Sequence, residues 1–340
     1  AVAMVAAAGL GGSAVYSEKK QHKPKTVLAW GGGLSGALGN GGTRNDPRPL
    51  AVSSLPPDVT IVSCGDAWSA ASTASGHLYT WGKGQHGRLG HGDASDLTVP
   101  RRVTMMDGQR VLSLATGSCH GAAVVEGGEV MAWGRNWHGE LGVGDTKAGA
   151  SPVRMDLGQG VRAASVACGA RHTLILTEGG TVLACGQGAD GQLGTGTREG
   201  AVSKATEVPL PSGARATQVA CGKDFSVVVL DDGRVLSCGA DDYGQLGQGK
   251  GQRYVPDLRE IRHLQGVDVE SVACGEYHAT ALTRQGRVYA WGYGRFGQLG
   301  TGATVDLCVP TLVETLDNIR GVSCGQNHTA AISRGGRLLV

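Results

Sequence analysis

The chain has 340 residues, enough for two ordinary domains or one large all-β domain. Its 58 Gly do not suit a helical protein, because Gly costs about 1 kcal/mol relative to Ala inside a helix. Charged residues are only 18% and the net charge is +2, so the basic footprint that nucleic-acid binding requires is missing.

Residues 1–17 carry no charged side chain and are mostly Ala, Val and Gly. A basic stretch follows at Lys19, Lys20, His22, Lys23 and Lys25. The apolar run is shorter than the ~20 residues of a spanning helix. The chain starts at Ala1 without Met, which fits removal of residues upstream. Two readings stay open: the end of a membrane anchor or organelle-targeting region with a positive flank, or a plain Ala/Gly tail. Residues 1–25 are therefore a tail and residues 26–340 one domain.

From residue 30 onward the sequence repeats. Trp-Gly-x-Gly-x-x-Gly-x-Leu-Gly occurs at Trp30–Gly39, Trp81–Gly90, Trp133–Gly142, Cys185–Gly194, Cys238–Gly247 and Trp291–Gly300. The starts are 51, 52, 52, 53 and 53 residues apart. In fixed phase with it runs Val-x-Cys-Gly-x-x-His, whose Gly are Gly65, Gly117, Gly169, Gly222, Gly275 and Gly325. A Pro follows most motif starts: Pro49, Pro100, Pro152, Pro209, Pro256 and Pro310. Fixed-period self-similarity outranks any local signal.

Each unit predicts strands. In Gln218–Gly247, a short strand Gln218–Cys221 precedes a β-rich run, Phe225–Leu230. Asp231-Asp232-Gly233 is then a hairpin turn, with Gly where positive φ is needed, and Arg234–Cys238 returns. The Pro suits an edge strand, where a missing N–H costs little. About 50 residues with some four strands make one propeller blade, and blades bury their faces only by stacking. The fold class is all-β: a single β-propeller of four-stranded blades, with six repeats visible.

These paired motifs resemble the regulator of chromosome condensation family over residues 26–340. Val27-Leu28-Ala29-Trp30 and Ser35-Gly36-Ala37-Leu38-Gly39 are similar to its mitochondrial branch. The resemblance implies a seven-bladed propeller. Six units are present, and the last ends at Arg337-Leu338-Leu339-Val340, where a seventh Trp-Gly is due. Either the seventh blade is absent, degenerate or beyond the chain end, or the ring closes with six; the expectation leans toward the former.

The repeats absorb most residues that suggest chemistry. Gly31-x-Gly33-x-x-Gly36 matches a dinucleotide fingerprint, but a true one opens a helix once in a βαβ unit. Asn136 and Asp241 replace its middle Gly, so this position is expected to have positive φ. Cys64, Cys168, Cys221, Cys274 and Cys324 precede the repeated Gly, and Cys185 and Cys238 stand where other repeats have Trp. They are expected to be buried thiols, with Cys308 outside the pattern; no cofactor or metal site is expected. His120, His172, His278 and His328 share a position that Trp68 and Phe225 fill elsewhere. That substitution argues against a catalytic base and for a hydrogen bond tying strands or blades. His22, His77, His86, His91, His138 and His263 read as surface or turn residues.

Equivalent loops open on one face, so the motif loop gathers Leu34-Ser35, Gln85-His86, Trp137-His138, Ala189-Asp190, Asp242-Tyr243 and Arg295-Phe296. Large amphipathic residues are enriched at interface hot spots. Trp137, His138, Tyr243, Arg295 and Phe296 are the candidate partner-binding residues, against a reading in which Tyr243 and Phe296 pack on their own blades. The stretch 196–209 is about five residues longer than its counterparts and is a second candidate.

No catalytic constellation stands out. The expectation is a protein-interaction scaffold, a subunit or assembly factor of a larger complex. It would sit in the mitochondrion, with the tail against the inner membrane; cytoplasm or nucleus is the alternative. Because the name-giving family member does so, the resemblance also implies guanine nucleotide exchange on a small GTPase. Near-constant repeat spacing leaves little room for the protruding element this needs. Light sensing would need clustered Trp, and four of the six Trp belong to the motif, leaving Trp68 and Trp137.

Overall fold

The computed structural model describes residues 3–7, 12–15 and 26–340. Two short strands, β1 (Ala3–Ala7) and β2 (Gly12–Val15), precede the repeats. Then come β3 (Thr26–Gly31), β4 (Asp46–Ala51), β5 (Val59–Cys64), β6 (Trp68–Thr73), β7 (Leu78–Gly82) and β8 (Leu97–Arg102). The next two sheets are β9 (Val111–Thr116), β10 (His120–Val125), β11 (Val130–Gly134), β12 (Gly149–Arg154), and β13 (Ala163–Cys168), β14 (His172–Thr177), β15 (Val182–Gly186), β16 (Val202–Val208). They are followed by β17 (Ala216–Cys221), β18 (Phe225–Leu230), β19 (Val235–Ala240), β20 (Tyr254–Glu260), and β21 (Val269–Cys274), β22 (His278–Thr283), β23 (Val288–Gly292), β24 (Leu307–Leu312). The last are β25 (Ile319–Cys324), β26 (Thr329–Ser333) and β27 (Leu338–Leu339).

The six-repeat β-propeller expected from sequence is the observed fold. Each repeat supplies four strands, β3 to β26, yet the sheets are offset from the repeats by two strands. The third and fourth strands of a sheet open one repeat, and the first two strands of the next sheet close it. β3 and β4 therefore share a sheet with β1, which runs parallel to β3, while β2 extends the β5–β8 sheet beyond β5. Residues 1–2, 8–11 and 16–25 of the tail lie outside the described residues. No described helix is long and apolar enough to cross a membrane. Pro49, Pro100, Pro152, Pro256 and Pro310 fall in the outermost strands, and Pro209 just after one, where the missing N–H faces no ladder partner.

Six apolar cores lie between neighbouring sheets rather than within them. One packs Trp68, Leu78, Leu89 and Val103 against Leu114, Ala123, Val125 and Trp133. Each fully buried side chain of this kind stabilises by about 1.5–3 kcal/mol. Because the cores are shared, no sheet buries its faces alone. All nine Cys are free, eight of them buried and Cys308 half-buried.

The repeated His also act between sheets. His120 Nε2 lies 2.9 Å from Thr173 Oγ1 on the adjacent sheet, and that hydroxyl donates to the Glu140 carbonyl at 2.8 Å. His278, Thr329 and the Gln298 carbonyl repeat the arrangement at 3.0 and 2.7 Å. Trp68 instead donates its indole N–H to the Gly117 carbonyl. Burial lowers the His120, His172 and His278 pKa values to about 3, so all three are neutral at ordinary pH.

One backbone expectation is corrected. The middle Gly of the motif has negative φ, −99° at Gly33 and −94° at Gly84. Positive φ belongs to the Gly after Trp or Cys, as at Gly82 (+101°), where the ladder between the third and fourth strands shifts register. The middle Gly serves close approach instead: a Cβ at Gly84 would stand 2.0 Å from the Ser95 carbonyl oxygen. Where the returning loop is arranged differently, a side chain fills that gap. Asn136 donates to the Asp145 and Lys147 carbonyls and accepts from the Leu141 N–H. Asp241 likewise accepts from the Leu246 N–H, and burial raises its carboxyl pKa to about 6.

Candidate functional site

The turn between the first and second strands of a sheet and the motif loop after its third strand lie at the same end of the blade. One face of the propeller therefore collects both. Backbone hydrogen bonds run around this face: Ala170 N–H donates to Lys223, Lys223 N–H to Glu276, and Glu276 N–H to Gln326. Each joins one sheet to the next and fixes the spacing of the side chains above.

Two aromatic arcs form here. In the first, Trp137 is 58% exposed, and His86 from the neighbouring loop meets its ring edge-on at 4.8 Å. The Arg135 guanidinium lies 5.7 Å from the Trp137 ring centroid. Arg135 is itself pinned by Glu140 at 2.9 Å and by the Ala170 carbonyl at 2.8 Å. His138 does not join the arc; it is half-buried, and its backbone N–H donates to Glu140 Oε2.

In the second arc, Tyr243 packs edge-on against Tyr277 at 5.1 Å and Tyr293 at 4.9 Å, both on the next sheet. Tyr293 continues to Phe296 at 5.7 Å, and Phe296 is 68% exposed. The contacts of Tyr243 thus cross between sheets rather than staying on its own blade. Arg295 is exposed and lies 3.5 Å from Asp306. Lys223 contacts the Glu276 carboxylate and the Tyr277 hydroxyl. Burial opposes its charge, but these two hydrogen bonds outweigh it and raise the Lys223 pKa above the usual lysine value.

Tyr277, Tyr293, Lys223 and Glu276 were not singled out by sequence. They come from the Gly-x-x-His turn and from the residue after Trp-Gly, not from the two loop positions compared there. Their signal was positional, since both segments end on the same face. Of the longer stretch 196–209, half the residues enter β16, and Arg198 stacks on Tyr254 at 4.4 Å. Trp68, Trp81, Trp133 and Trp291 are fully buried, so they form no exposed Trp cluster with Trp137.

This surface is suited to recognition. Its rings are amphipathic and held by neighbours, so little side-chain freedom is lost on contact. The neutral His of the motif lie beneath it with Nε2 engaged.

Comparison with known proteins agrees with the fold. The family model described as RCC1-like domain matches residues 5–340. The chain is 36% identical to the ultraviolet-B receptor UVR8 of Arabidopsis thaliana over 86% of its own length and 66% of the relative's. It is 34% identical to the human E3 ubiquitin-protein ligase HERC2, over 85% of this chain and 6% of that one. The mitochondrial RCC1 domain-containing protein RUG3 of Arabidopsis thaliana is 30% identical, over 85% and 71% of the two chains. Among solved structures, human WBSCR16 superposes with a TM-score of 0.81 at 28% identity, covering 92% of this chain and 87% of that one. Yeast RCC1 (Prp20) bound to Kap60 gives 0.78 at 22% identity, covering 97% and 78%, a likeness of fold. The chain belongs to the RCC1-like domain family.

Proposed function

We propose that the protein is a non-catalytic interaction scaffold, a subunit or assembly factor of a larger complex, which docks through the two aromatic arcs. The exposure of Trp137 and Phe296 on one face carries this reading. Buried aromatic anchors dominate protein interfaces, and an exposed one ringed by polar groups marks a contact site. A mitochondrial location is part of the proposal and is supported by the likeness to RUG3.

The test is affinity capture with the whole chain. Trp137→Ala and Phe296→Ala are expected to lose a specific partner while the melting temperature holds. A large fall in melting temperature with capture unchanged overturns the docking role. Guanine nucleotide exchange on a small GTPase is the alternative outcome. Acceleration of nucleotide release across a GTPase panel replaces the scaffold reading with it.

A further inference from the structure

The second repeat departs from its neighbours in charge. Two positions of the motif loop hold Arg135 and Glu140 in the third repeat, an ion pair at 2.9 Å. The same positions hold Gln187 and Gln192 in the fourth repeat, and Lys83 and Arg88 in the second. A second cation thus stands where the third repeat has its acid.

Arg88 is buried, and burial works against its charge and lowers its pKa. Its Nε donates to the Gln85 carbonyl at 2.9 Å, and its Nη1 to the Asp66 and Ser118 carbonyls at 3.1 and 2.9 Å. These acceptors are neutral, and Nη2 takes part in none of the three bonds. Among the described residues, neither Arg88 nor Lys83 forms an ion pair. Asp66 and Asp96 act on Arg88 only from a distance, and Asp96 accepts the Gly84 N–H. His86 sits among the cations of the first arc. Burial lowers its pKa first, and then Arg88, Arg135 and Lys83 lower it further. In the second arc, by contrast, Lys223 and Arg295 are matched by Glu276 and Asp306. A desolvated charge without a counter-ion is costly, and an incoming carboxylate offsets that cost. Trp137, 58% exposed and edge-on to His86, supplies an apolar wall beside the cations.

We propose that the first arc receives an acidic segment of the partner protein, a Glu or Asp carboxylate bridging Arg88 and Lys83 while its methylene stem lies on Trp137. This assignment rests on the docking reading and names the chemistry of the partner. The carboxylate supplies from outside what Glu140 supplies from within in the next repeat. Two cations are too short a track for a nucleic-acid backbone, which calls for a stripe of Lys and Arg.

The test titrates the 340-residue chain by calorimetry with acetylated, amidated hexaglutamate. Saturable binding that weakens as salt is raised is expected. Hexaglutamine should bind about 10-fold less tightly, the worth of one charge-assisted hydrogen bond. Lys83→Gln, at a half-buried position, should weaken binding about 3-fold. Lys83→Arg with Arg88→Glu copies the native Arg135 and Glu140 pair, so it should fold and should abolish binding. Arg262→Gln removes the same charge from the opposite end of the blades and should leave affinity unchanged. Absence of saturable binding, equal affinity for hexaglutamine, binding retained by the double variant, or equal losses from Lys83→Gln and Arg262→Gln overturns the proposal. Tighter binding of a single-stranded oligothymidylate overturns it too. Capture of a partner that depends on Trp137 but not on Lys83 or Arg88 overturns the acidic segment and leaves the scaffold reading standing, which tells the two failures apart.

Discussion

His172 Nε2 lies 2.9 Å from Ser226 Oγ on the adjacent sheet, and Ser226 spends its own proton on the Gln192 carbonyl at 2.7 Å. The imidazole must therefore be the donor, which leaves Nδ1 as an unpartnered acceptor. The chain obeys a pairing rule at this position. His120, His172 and His278 face Thr173, Ser226 and Thr329, whereas Phe225, which has no donor, precedes a sheet with Ala279 at the acceptor place.

Ser226→Ala should accordingly cost about 1–3 kcal/mol, since it strands a buried N–H. The double variant His172→Phe with Ser226→Ala copies the native Phe225 and Ala279 pair and should recover most of that loss. Urea unfolding of the four proteins in the cycle measures the coupling. Additive losses would show that the two residues act separately.

Stability should fall as the solution is acidified from pH 6.5 toward pH 3. The folded-state pKa of His120, His172 and His278 is lowered to about 3, against ~6.5 in the unfolded chain. In that window the unfolded state binds more protons, so stability rises with pH. Each buried His contributes a slope of about 1.4 kcal/mol per pH unit well below pH 6.5. His172→Phe should remove one such slope. Thermal melts of both proteins between pH 4.5 and 7.5 check it, and parallel curves would refute it.

Arg135 and Glu140 form a pair almost without solvent, with side chains 11% and 0% exposed. Glu140→Ala leaves the guanidinium without a counter-charge and should cost about 3–5 kcal/mol. The next repeat carries Gln187 and Gln192 at these places, and Gln192 Oε1 accepts the Asp190 N–H as Glu140 accepts that of His138. Arg135→Gln with Glu140→Gln should therefore lie within about 1 kcal/mol of the wild type by chemical denaturation.

Gly84→Ala should destabilise by more than the ~1 kcal/mol of an ordinary Gly change, because the new Cβ would collide with the Ser95 carbonyl. Gly76→Ala is a useful contrast, since its φ is +87° but its nearest neighbour is 3.6 Å away. A loss at Gly84 no larger than that at Gly76 would show that the Ser95 carbonyl moves aside, because the φ of −94° at Gly84 adds no strain of its own.

The repeat period made the strands, the edge Pro, the buried thiols and the linking role of the His legible, because each recurs in phase with a 51- to 53-residue unit. Contacts between units were harder to read. The pairing of His172 with Ser226 spans 54 positions and emerges only when each His is compared with the residue after the next one. Tyr243, Tyr277 and Tyr293 meet because two turns share one end of the blades, which requires knowing the strand directions. The middle Gly was misread because Asn and Asp tolerate left-handed backbone and also make good side-chain bridges; at Asn136 the bridge is what the fold uses.

The two-strand offset between repeats and sheets has a consequence for how such a molecule can grow or be cut. A duplicated repeat inserted in phase would leave two strands in the sheet before it and two in the sheet after it. It could not hang from the molecule as a separate bead. A protease that cleaves between β6 and β7 separates two repeats but leaves both fragments hydrogen-bonded within one sheet. Like overlapping courses of brick, the joints of the chain and the joints of the structure never coincide.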